Sequence, residues 1–290
     1  MSTAIRILQG NFGRVALLDM DKPLITHAHH HCHILFKFGG ADAFFTVRDR
    51  LQPLTDKTVV LINAWESHAY THHLNDAPPT VILALYIECG WLAGIHRRLT
   101  VSSHPQFFPR ACVELSPRTR RLAESLAWEM LDAGGIPQER LEQQLFDLVI
   151  AVVDPYSEWR NAQRLTRPAW ASPRDPRIRR AIELLGTRVG DGVDMDELAE
   201  SSGLSRSHFF ALFRRCTHVT PGVYANVLRM EAAIDGLTRN GDSIAALSSR
   251  LGFSAQGHFT RFFRQHLGIT PSDYRGKVDV FRHERDSLII

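Results

Sequence analysis

The sequence predicts an α+β multidomain chain: an N-terminal antiparallel β-barrel or sandwich, a helical hairpin, and a C-terminal all-α domain with two helix-turn-helix units. Three observations predict it. Short runs rich in β-branched and aromatic residues fill the first ninety positions, the hydrophobic period turns helical after Ser116, and one helix-turn-helix pattern occurs twice in the last third. With 290 residues there is room for about two domains at ~100–200 residues each. A hydrophobic fraction of 44% with 22% charged residues is ordinary globular composition, so each can bury a core.

The strand-like runs are RVALLDM, HILFKF, AFFTV, TVVLINAW and TVILALYIE. They are punctuated by Gly39-Gly40, Pro53, Asn75-Asp76 and Pro78-Pro79. Many short strands at close spacing point to an antiparallel sandwich or barrel. In 116–154 the apolar residues recur at helical spacing: Leu122, Leu126 and Met130, then Leu141, Leu145, Leu148, Val149 and Val152 beyond the breaker Gly134-Gly135. Two helices on so short a turn make an αα-hairpin, whose stripes serve either packing onto the barrel or a dimer seam. PYSEWRNAQRLTRPAWASPRDP holds four prolines and no sustained period, so it reads as a linker. The expected divisions are 1–110 for the barrel, 111–154 for the hairpin, 155–176 for the linker, 177–276 for the double helix-turn-helix and 277–290 for a tail.

Composition excludes several classes. The longest apolar stretch, Val81 to Ile95, is broken by Glu88 and is shorter than the ~20 residues of a membrane span. The start, MSTAIRILQGNFGR, has no basic segment followed by an apolar one, so secretion is not expected. Four scattered cysteines (Cys32, Cys89, Cys112, Cys216) without a C-x-x-C pair read as reduced thiols of a cytosolic protein. No Ser-His-Asp signature, P-loop or Gly-rich dinucleotide motif is present. Residues 177–276 carry thirteen arginines, no lysine and ten acidic residues. That excess is mild, so nucleic-acid binding must come from where the charge sits.

In MDELAESSGLSRSHFFALF, Asp194 caps a first helix, Ser202-Gly203 ends it, and Leu204 plugs the turn. Ser205 caps a second helix with Phe209, Leu212 and Phe213 inward. SIAALSSRLGFSAQGHFTRFF repeats the pattern, with Leu198/Leu247, Gly203/Gly252, Leu204/Phe253, Phe209/Phe259 and Phe213/Phe263 in register after a one-residue insertion. Each unit ends alike, in THVTPGVY and LGITPSDY, where threonine caps a helix that begins with proline. Between them Pro221 to Leu237 spans ~25 Å as a helix, enough to set two reading helices about one DNA turn apart.

The segments LAESSGLSRSHFFALFRR, TPGVYANVLRMEAA and GFSAQGHFTRFFRQHLGITPSDYR resemble the C-terminal signature of the AraC/XylS family of bacterial transcription regulators, over all of 177–276. The resemblance implies a monomeric two-headed DNA-binding domain joined to a regulatory domain. Double-stranded DNA is then the partner, with RNA polymerase, a homodimer and the bacterial cytosol as the setting. Helix-turn-helix geometry turns Arg206, Ser207, His208, Phe210 and Ala211 of the first head, and Ala255, Gln256, Gly257, Thr260 and Arg261 of the second, toward base edges. Arg261 suits guanine and Gln256 suits adenine, while Arg214, Arg215 and Arg264 suit phosphates. The family commonly carries arginine where this chain has Ala211, which shifts the first head toward apolar contacts such as Phe210 on thymine methyls.

Eight of the fifteen histidines lie between His27 and His73. On a strand His27, His29, His31 and His33 share one face, opposite Cys32, Ile34, Phe36 and Phe38. His68, Tyr70 and His72 share another. This part resembles a cupin barrel, with the pattern H-x-H-x3-E-x6-G met by His27, His29, His33 and Gly40. Histidine replaces the usual glutamate, and Asn63 and Trp65 stand where the second cupin motif, which supplies His68, has proline and glycine. His27, His29, His33 and His68 would hold a divalent ion such as Zn²⁺ or Fe²⁺ if they converge. Otherwise they line a pocket for a small-molecule effector walled by Trp65, Tyr70, His72 and Phe44. The leading expectation is an effector-responsive transcription regulator, not an enzyme. The competing one is a metal-dependent cupin oxygenase or isomerase fused to a DNA-binding tail.

Overall fold

The computed structural model describes residues 2–71, 78–132, 134–162, 165, 175–239 and 242–281. The N-terminal domain is built from β1 (Thr3–Gly10), β2 (Gly13–Met20), β3 (Cys32–Gly40), β4 (Ala43–Val47), β5 (Arg50–Leu54), β6 (Thr58–Ile62), β7 (His68–Thr71) and β8 (Thr80–Ile87). A short helix α1 (Cys89–Ile95), a 3-10 turn at Arg97–Ser103 and strand β9 (Cys112–Glu114) follow. Two helices come next, α2 (Pro117–Leu131) and α3 (Gln138–Tyr156). The C-terminal domain comprises α4 (Pro176–Thr187), α5 (Met195–Ser201), α6 (Arg206–Thr217), α7 (Pro221–Arg239), α8 (Ile244–Arg250), α9 (Gln256–Leu267) and α10 (Pro271–Lys277), with a last strand β10 (Val278–Val280). The expected order of β domain, hairpin and helical domain is the order observed.

The strands form a seven-stranded sheet, β10-β1-β2-β8-β3-β6-β9, and a three-stranded sheet, β5-β4-β7. All pairings are antiparallel except β1 with β10. Strand alternation gives the large sheet two apolar faces. Ile7, Ala16, Leu18, Leu35, Val60, Ile62 and Ala84 face Phe45, Val47, Leu54 and Tyr70 of the small sheet, forming the barrel interior. Leu8, Val15, Leu17, Ile34, Phe36, Leu83 and Leu85 form the outer face, covered by α2 and α3. The turn from β4 to β5 is two residues, Arg48 and Asp49, both at positive φ as a type I′ turn requires.

The hairpin's stripe settles one of the two roles open to it. Leu126, Met130, Leu141, Leu145, Leu148, Val149 and Val152 are all buried against the outer face of the large sheet. Those leucines are therefore spent on packing and cannot also line a dimer seam. Trp128 and Phe146, on the opposite side, remain exposed. Two strands lie outside the region that the sequence marks for strands. The 111–154 segment expected as the hairpin begins with β9, which pairs with β6 of the barrel. The segment expected as a tail begins with β10, which pairs with β1 (Ile7↔Val278, Leu8↔Asp279, Gln9↔Val280). Three-residue strands are too short for periodicity to mark. Half of the proline-rich linker lies outside the described residues, and Pro155 and Tyr156 continue α3.

The duplication is visible in the caps. Gly203 and Gly252 both take positive φ, +65° and +76°, where only glycine avoids strain from a Cβ. Helices α6 and α9 both end in a left-handed residue, His218 and Gly268. The Oγ1 of Thr220 accepts from the Val223 amide, and that of Thr270 from the Asp273 amide, at the starts of α7 and α10. Helix α7 has 19 residues, ~28 Å of helix. Among the described residues, no helix is long and apolar enough to cross a membrane.

The domains meet directly, not only through the linker. Phe259, Phe263, Leu267, Ile269 and Tyr274 of the second head, with Met230, Ile234 and Leu237 of α7, belong to the same buried cluster as the barrel interior. The Ala4 amide donates to Asp273 (2.8 Å), Tyr274 Oη to Gln9 (2.9 Å), and the Ile25 amide to the Gln265 carbonyl (3.3 Å). Arg14 lies in this seam, 5% exposed, 4.0 Å above the Tyr86 ring and 6.0 Å from that of Tyr274.

Candidate functional site

The histidines precede and flank β3, at the barrel mouth that faces the C-terminal domain. A bridge between His27 and His68 aligns the chain before β3 with β7. It brings His27, His29 and His68 together, with one ring nitrogen from each within 4.8 Å of the others. His33 stands beside them: its Nδ1 is 3.1 Å from His29 Nε2, and its ring stacks on Tyr86 at 4.0 Å. Three of the four expected ligands thus converge, and the fourth is held next to them by His29.

His31 does not join this face. The backbone bends at His30 and His31 instead of continuing as a strand, so alternation fails there. His31 turns toward Glu88 at the end of β8, with its Nε2 3.0 Å from the carboxylate.

The hydrogen bonds around the trio set its chemistry. His27 Nδ1 donates to the Ile25 carbonyl (2.8 Å) and His68 Nδ1 to the Glu66 carbonyl (2.9 Å). A carbonyl only accepts, so each Nδ1 carries the proton and each Nε2 presents a lone pair. Outer hydrogen bonds of this kind fix the tautomer of metal-binding histidines. His68 Nε2, His29 Nδ1 and His33 Nε2 are buried without a hydrogen-bond partner. Leaving such groups unpaired costs about 1–3 kcal/mol each, which an ion would offset. Burial, reinforced by neighbouring imidazoles, holds His27, His29 and His33 well below their usual titration range. Burial takes His68 down to about 4. All four are neutral at physiological pH, the form that binds a metal. The residues present therefore fit a borderline divalent ion.

The space beside the trio decides its scale. A cavity of about 30 Å³, lined by His27, His29, Met230, Glu231 and His266, lies between the barrel mouth and helices α7 and α9. That volume admits an ion with a water or two, not an organic molecule. Of the residues expected to contact an effector, Tyr70 sits in the core between the sheets, beside Phe45 and bonded to the Met20 carbonyl. Alternation along β7 turns Tyr70 inward with His68 and leaves Thr71 exposed. His72 lies outside the described residues. Trp65 lines a separate, open cleft of about 350 Å³ with Arg48, Ser67, His68, Arg214 and His218.

Trp65 also explains one departure from the cupin pattern. Its φ is +63°, a conformation comfortable for glycine, and its indole stacks on Tyr224 of α7 with centroids 4.5 Å apart and planes 2° from parallel. The backbone keeps the shape glycine would give, while the side chain reaches across to the other domain. Asn63, the other departure, is fully buried and binds Phe108 through both its Oδ1 and Nδ2.

The second helices of the two heads show a consistent split. Phe209, Leu212, Phe213, Phe259 and Phe263 are buried. Arg206, Ser207, His208, Ala211, Arg214 and Arg215 are exposed on α6, as are Ala255, Gln256, Gly257, Arg261 and Arg264 at α9; Phe210 and Thr260 are half-buried. Arg206 is paired with Asp196 and lies over the Phe210 ring, so both are partly engaged within the protein. Sequence reasoning missed Arg14, Glu88 and Glu231, which face the histidines from three separate elements. An isolated arginine in an apolar strand was the one signal for Arg14.

A barrel with a buried histidine site, joined to two helix-turn-helix heads, defines a regulator with a ligand-binding domain and a DNA-binding domain. The AraC-like ligand binding domain family matches residues 21–149, and a helix-turn-helix domain family matches 198–277. Regulatory protein SoxS of Salmonella typhimurium is 32% identical over 101 residues, covering 35% of this chain and 94% of that protein. Regulatory protein PocR of the same organism is 28% identical over 148 residues, 51% of this chain and 47% of PocR. The chain thus spans about half the length of PocR. A structure of ToxT from Vibrio cholerae superposes with a TM-score of 0.54 at 13% identity, over 91% of this chain and 97% of ToxT, a likeness of fold. The chain belongs to the AraC family of transcription regulators.

Proposed function

We propose that this chain is a sequence-specific DNA-binding transcription regulator that responds to a divalent metal ion held by His27, His29 and His68, with His33 positioning His29. The observation that carries the reading is the pair of exposed faces on α6 and α9, each backed by a buried phenylalanine stripe, beside a trio of buried imidazoles with free lone pairs. Arg261 and Gln256 are assigned to base edges, as are Ser207, His208, Ala211, Ala255, Gly257 and Thr260 by position. Arg214, Arg215 and Arg264 are assigned to phosphates. The ion would fix the three imidazoles in one arrangement. Because Ala28, between His27 and His29, packs on Val219 and Val227 beside the first head, that arrangement bears on the position of the first head. An ion shifts the protein between arrangements only as far as it binds one better than the other.

The setting that goes with this reading is the bacterial cytosol, with promoter DNA and RNA polymerase as partners. A two-fold homodimer would use the outer side of the hairpin around Trp128. A gel shift with the chain's own promoter region, with chelator and then with added Zn²⁺ or Fe²⁺, tests the proposal. Sequence-selective binding that changes with the ion is expected; absence of selective binding at moderate salt overturns it.

A second reading is favoured by the 350 Å³ cleft, which is of the size that holds small organic ligands. There Arg214 would bind an anionic effector between the barrel and the first head, Arg48 being paired with Glu66. Ion-independent DNA binding that responds to a carboxylate ligand would select it.

A further inference from the structure

The histidine run holds two rings that the barrel site does not use. His30 and His31 stack on each other, centroids 4.0 Å apart, on the outer side of the bend before β3. Both direct Nε2 at one oxygen of Glu88, at 3.2 and 3.0 Å. A carboxylate oxygen only accepts, so each Nε2 directed at it carries a proton, and in the neutral form of the rings both Nδ1 atoms present lone pairs. Those lone pairs face one oxygen of Glu231, which comes from α7 in the other domain. The separations are 3.8 Å from His30 and 4.0 Å from His31.

These distances are too long for hydrogen bonds and close to the spacing of ligands around one ion. Bonds of about 2.0–2.1 Å at tetrahedral angles set ligand atoms about 3.4 Å apart. The three donor atoms all lie within 4.8 Å of one another. The His31 ring is buried, and its Nδ1 has no hydrogen-bond partner. Glu88 supplies the outer carboxylate that orients both rings, an arrangement typical of histidine metal sites. An open cleft of about 560 Å³, lined by His31, Glu88, Glu231 and Asp235, gives access from solvent.

We propose that His30, His31 and Glu231 form a second divalent-cation site, closed across the seam between the barrel and α7. Two imidazole nitrogens and one carboxylate oxygen suit Zn²⁺ or a similar borderline ion, with water completing the shell. Because its ligands come from both domains, an ion bound there ties the DNA-binding domain to the barrel. Its ligands are distinct from His27, His29 and His68, so the proposal stands without the barrel ion.

The experiment is Zn²⁺ titration of the metal-free full-length chain, with bound metal measured after gel filtration and melting followed in parallel. The proteins are wild type, His68→Gln, His30→Ala, Glu231→Gln and Glu231→Asp. Glu231 also faces the charge of Arg14. Glu231→Asp keeps that charge while withdrawing the oxygen by one methylene, so it tests the site where Glu231→Gln unfolds. Each His30 or Glu231 variant is expected to lose one equivalent of Zn²⁺, or to hold it about tenfold or more weakly. His68→Gln should keep this ion and the rise in melting temperature it brings. If wild type holds one ion, lost in the His30 and Glu231 variants and kept in His68→Gln, the interdomain site stands and the barrel ion falls. Wild-type stoichiometry and affinity in both His30→Ala and Glu231→Asp overturn the interdomain site.

Discussion

The two helix-turn-helix heads share one pattern and sit in different surroundings. The first packs its own core, in which Phe209, Leu212 and Phe213 of α6 meet Ile178, Ala181, Leu185 and Leu198. It touches the barrel through a small cluster of Ala28, Val219 and Val227, capped by the Trp65–Tyr224 stack. The core of the second head, in which Phe259 and Phe263 meet Phe253 and Tyr274, runs on into that of the barrel. Its phenylalanines Phe259 and Phe263 belong to the barrel's interior cluster, and its last residues extend the barrel's sheet through β10. The difference teaches where a signal in the barrel can act. The second head shares core and sheet with the barrel, so a bound ion is expected to act on the position of the first head relative to that unit.

The largest effect should come from emptying the two cores at matching positions. Phe213→Ala and Phe263→Ala each remove a fully buried ring and should each cost about 3–5 kcal/mol. Their reach should differ. Hydrogen exchange should show protection lost within the first head in Phe213→Ala, and lost in both the second head and the barrel strands in Phe263→Ala. Equal, confined losses in both would dissolve the distinction between the heads.

Acid should act on the barrel and second head together. The folded state holds His68 down at about 4, whereas the unfolded chain titrates near 6.5. Between these values the unfolded state binds the proton and the folded state does not, so stability falls as pH falls through 6.5 and levels off below about 4. At pH 5 His68 alone accounts for about 2 kcal/mol, and His27, His29 and His33 shift in the same direction. The metal-free protein should therefore melt at lower temperature at pH 5 than at pH 7. A flat profile would mean that the imidazoles are not held neutral by burial.

On DNA, the comparison sharpens to single residues. Arg261→Ala should cost about 1–3 kcal/mol at one base position, while Arg264→Ala should weaken all sequences alike and lower the salt dependence by about one charge. In the first head Ala211 offers no hydrogen bond, and Arg206 is already paired with Asp196. Alanine at Arg206 should thus discriminate less between bases than alanine at Arg261. Binding to a panel of single-base operator variants measures both. A larger loss of discrimination at Arg206 would reverse the ranking of the heads.

The sequence carried the order of domains, the duplication and both phenylalanine stripes, because each rests on periodicity or on turn residues with a local physical cause. The histidine site was half legible. Parity on a strand brought out His27, His29 and His33, but it also placed His31 among them, since alternation says nothing of a bend. His30 and Glu231, and the shared core of barrel and second head, depend on contacts more than 200 residues apart in part. No local pattern encodes such contacts: Phe263 reads as an ordinary helix core residue whether the apolar surface it meets is its own domain's or the barrel's.

The smallest predicted effect tests how firmly the first head is held. Trp65→Ala removes the stack on Tyr224, a contact worth about 0.5–1.5 kcal/mol beyond the area it buries. It leaves the barrel core and the second head in place, because Trp65 lies outside their shared cluster and packs against the small interdomain one. The variant should therefore keep the melting of the barrel while raising hydrogen exchange along the first turns of α7 and in α6. Its DNA binding should lose part of its dependence on the ion, since the first head is then less biased toward one position. If exchange rises equally in α9, the second head is not the fixed partner of the pair and the signal must run through both.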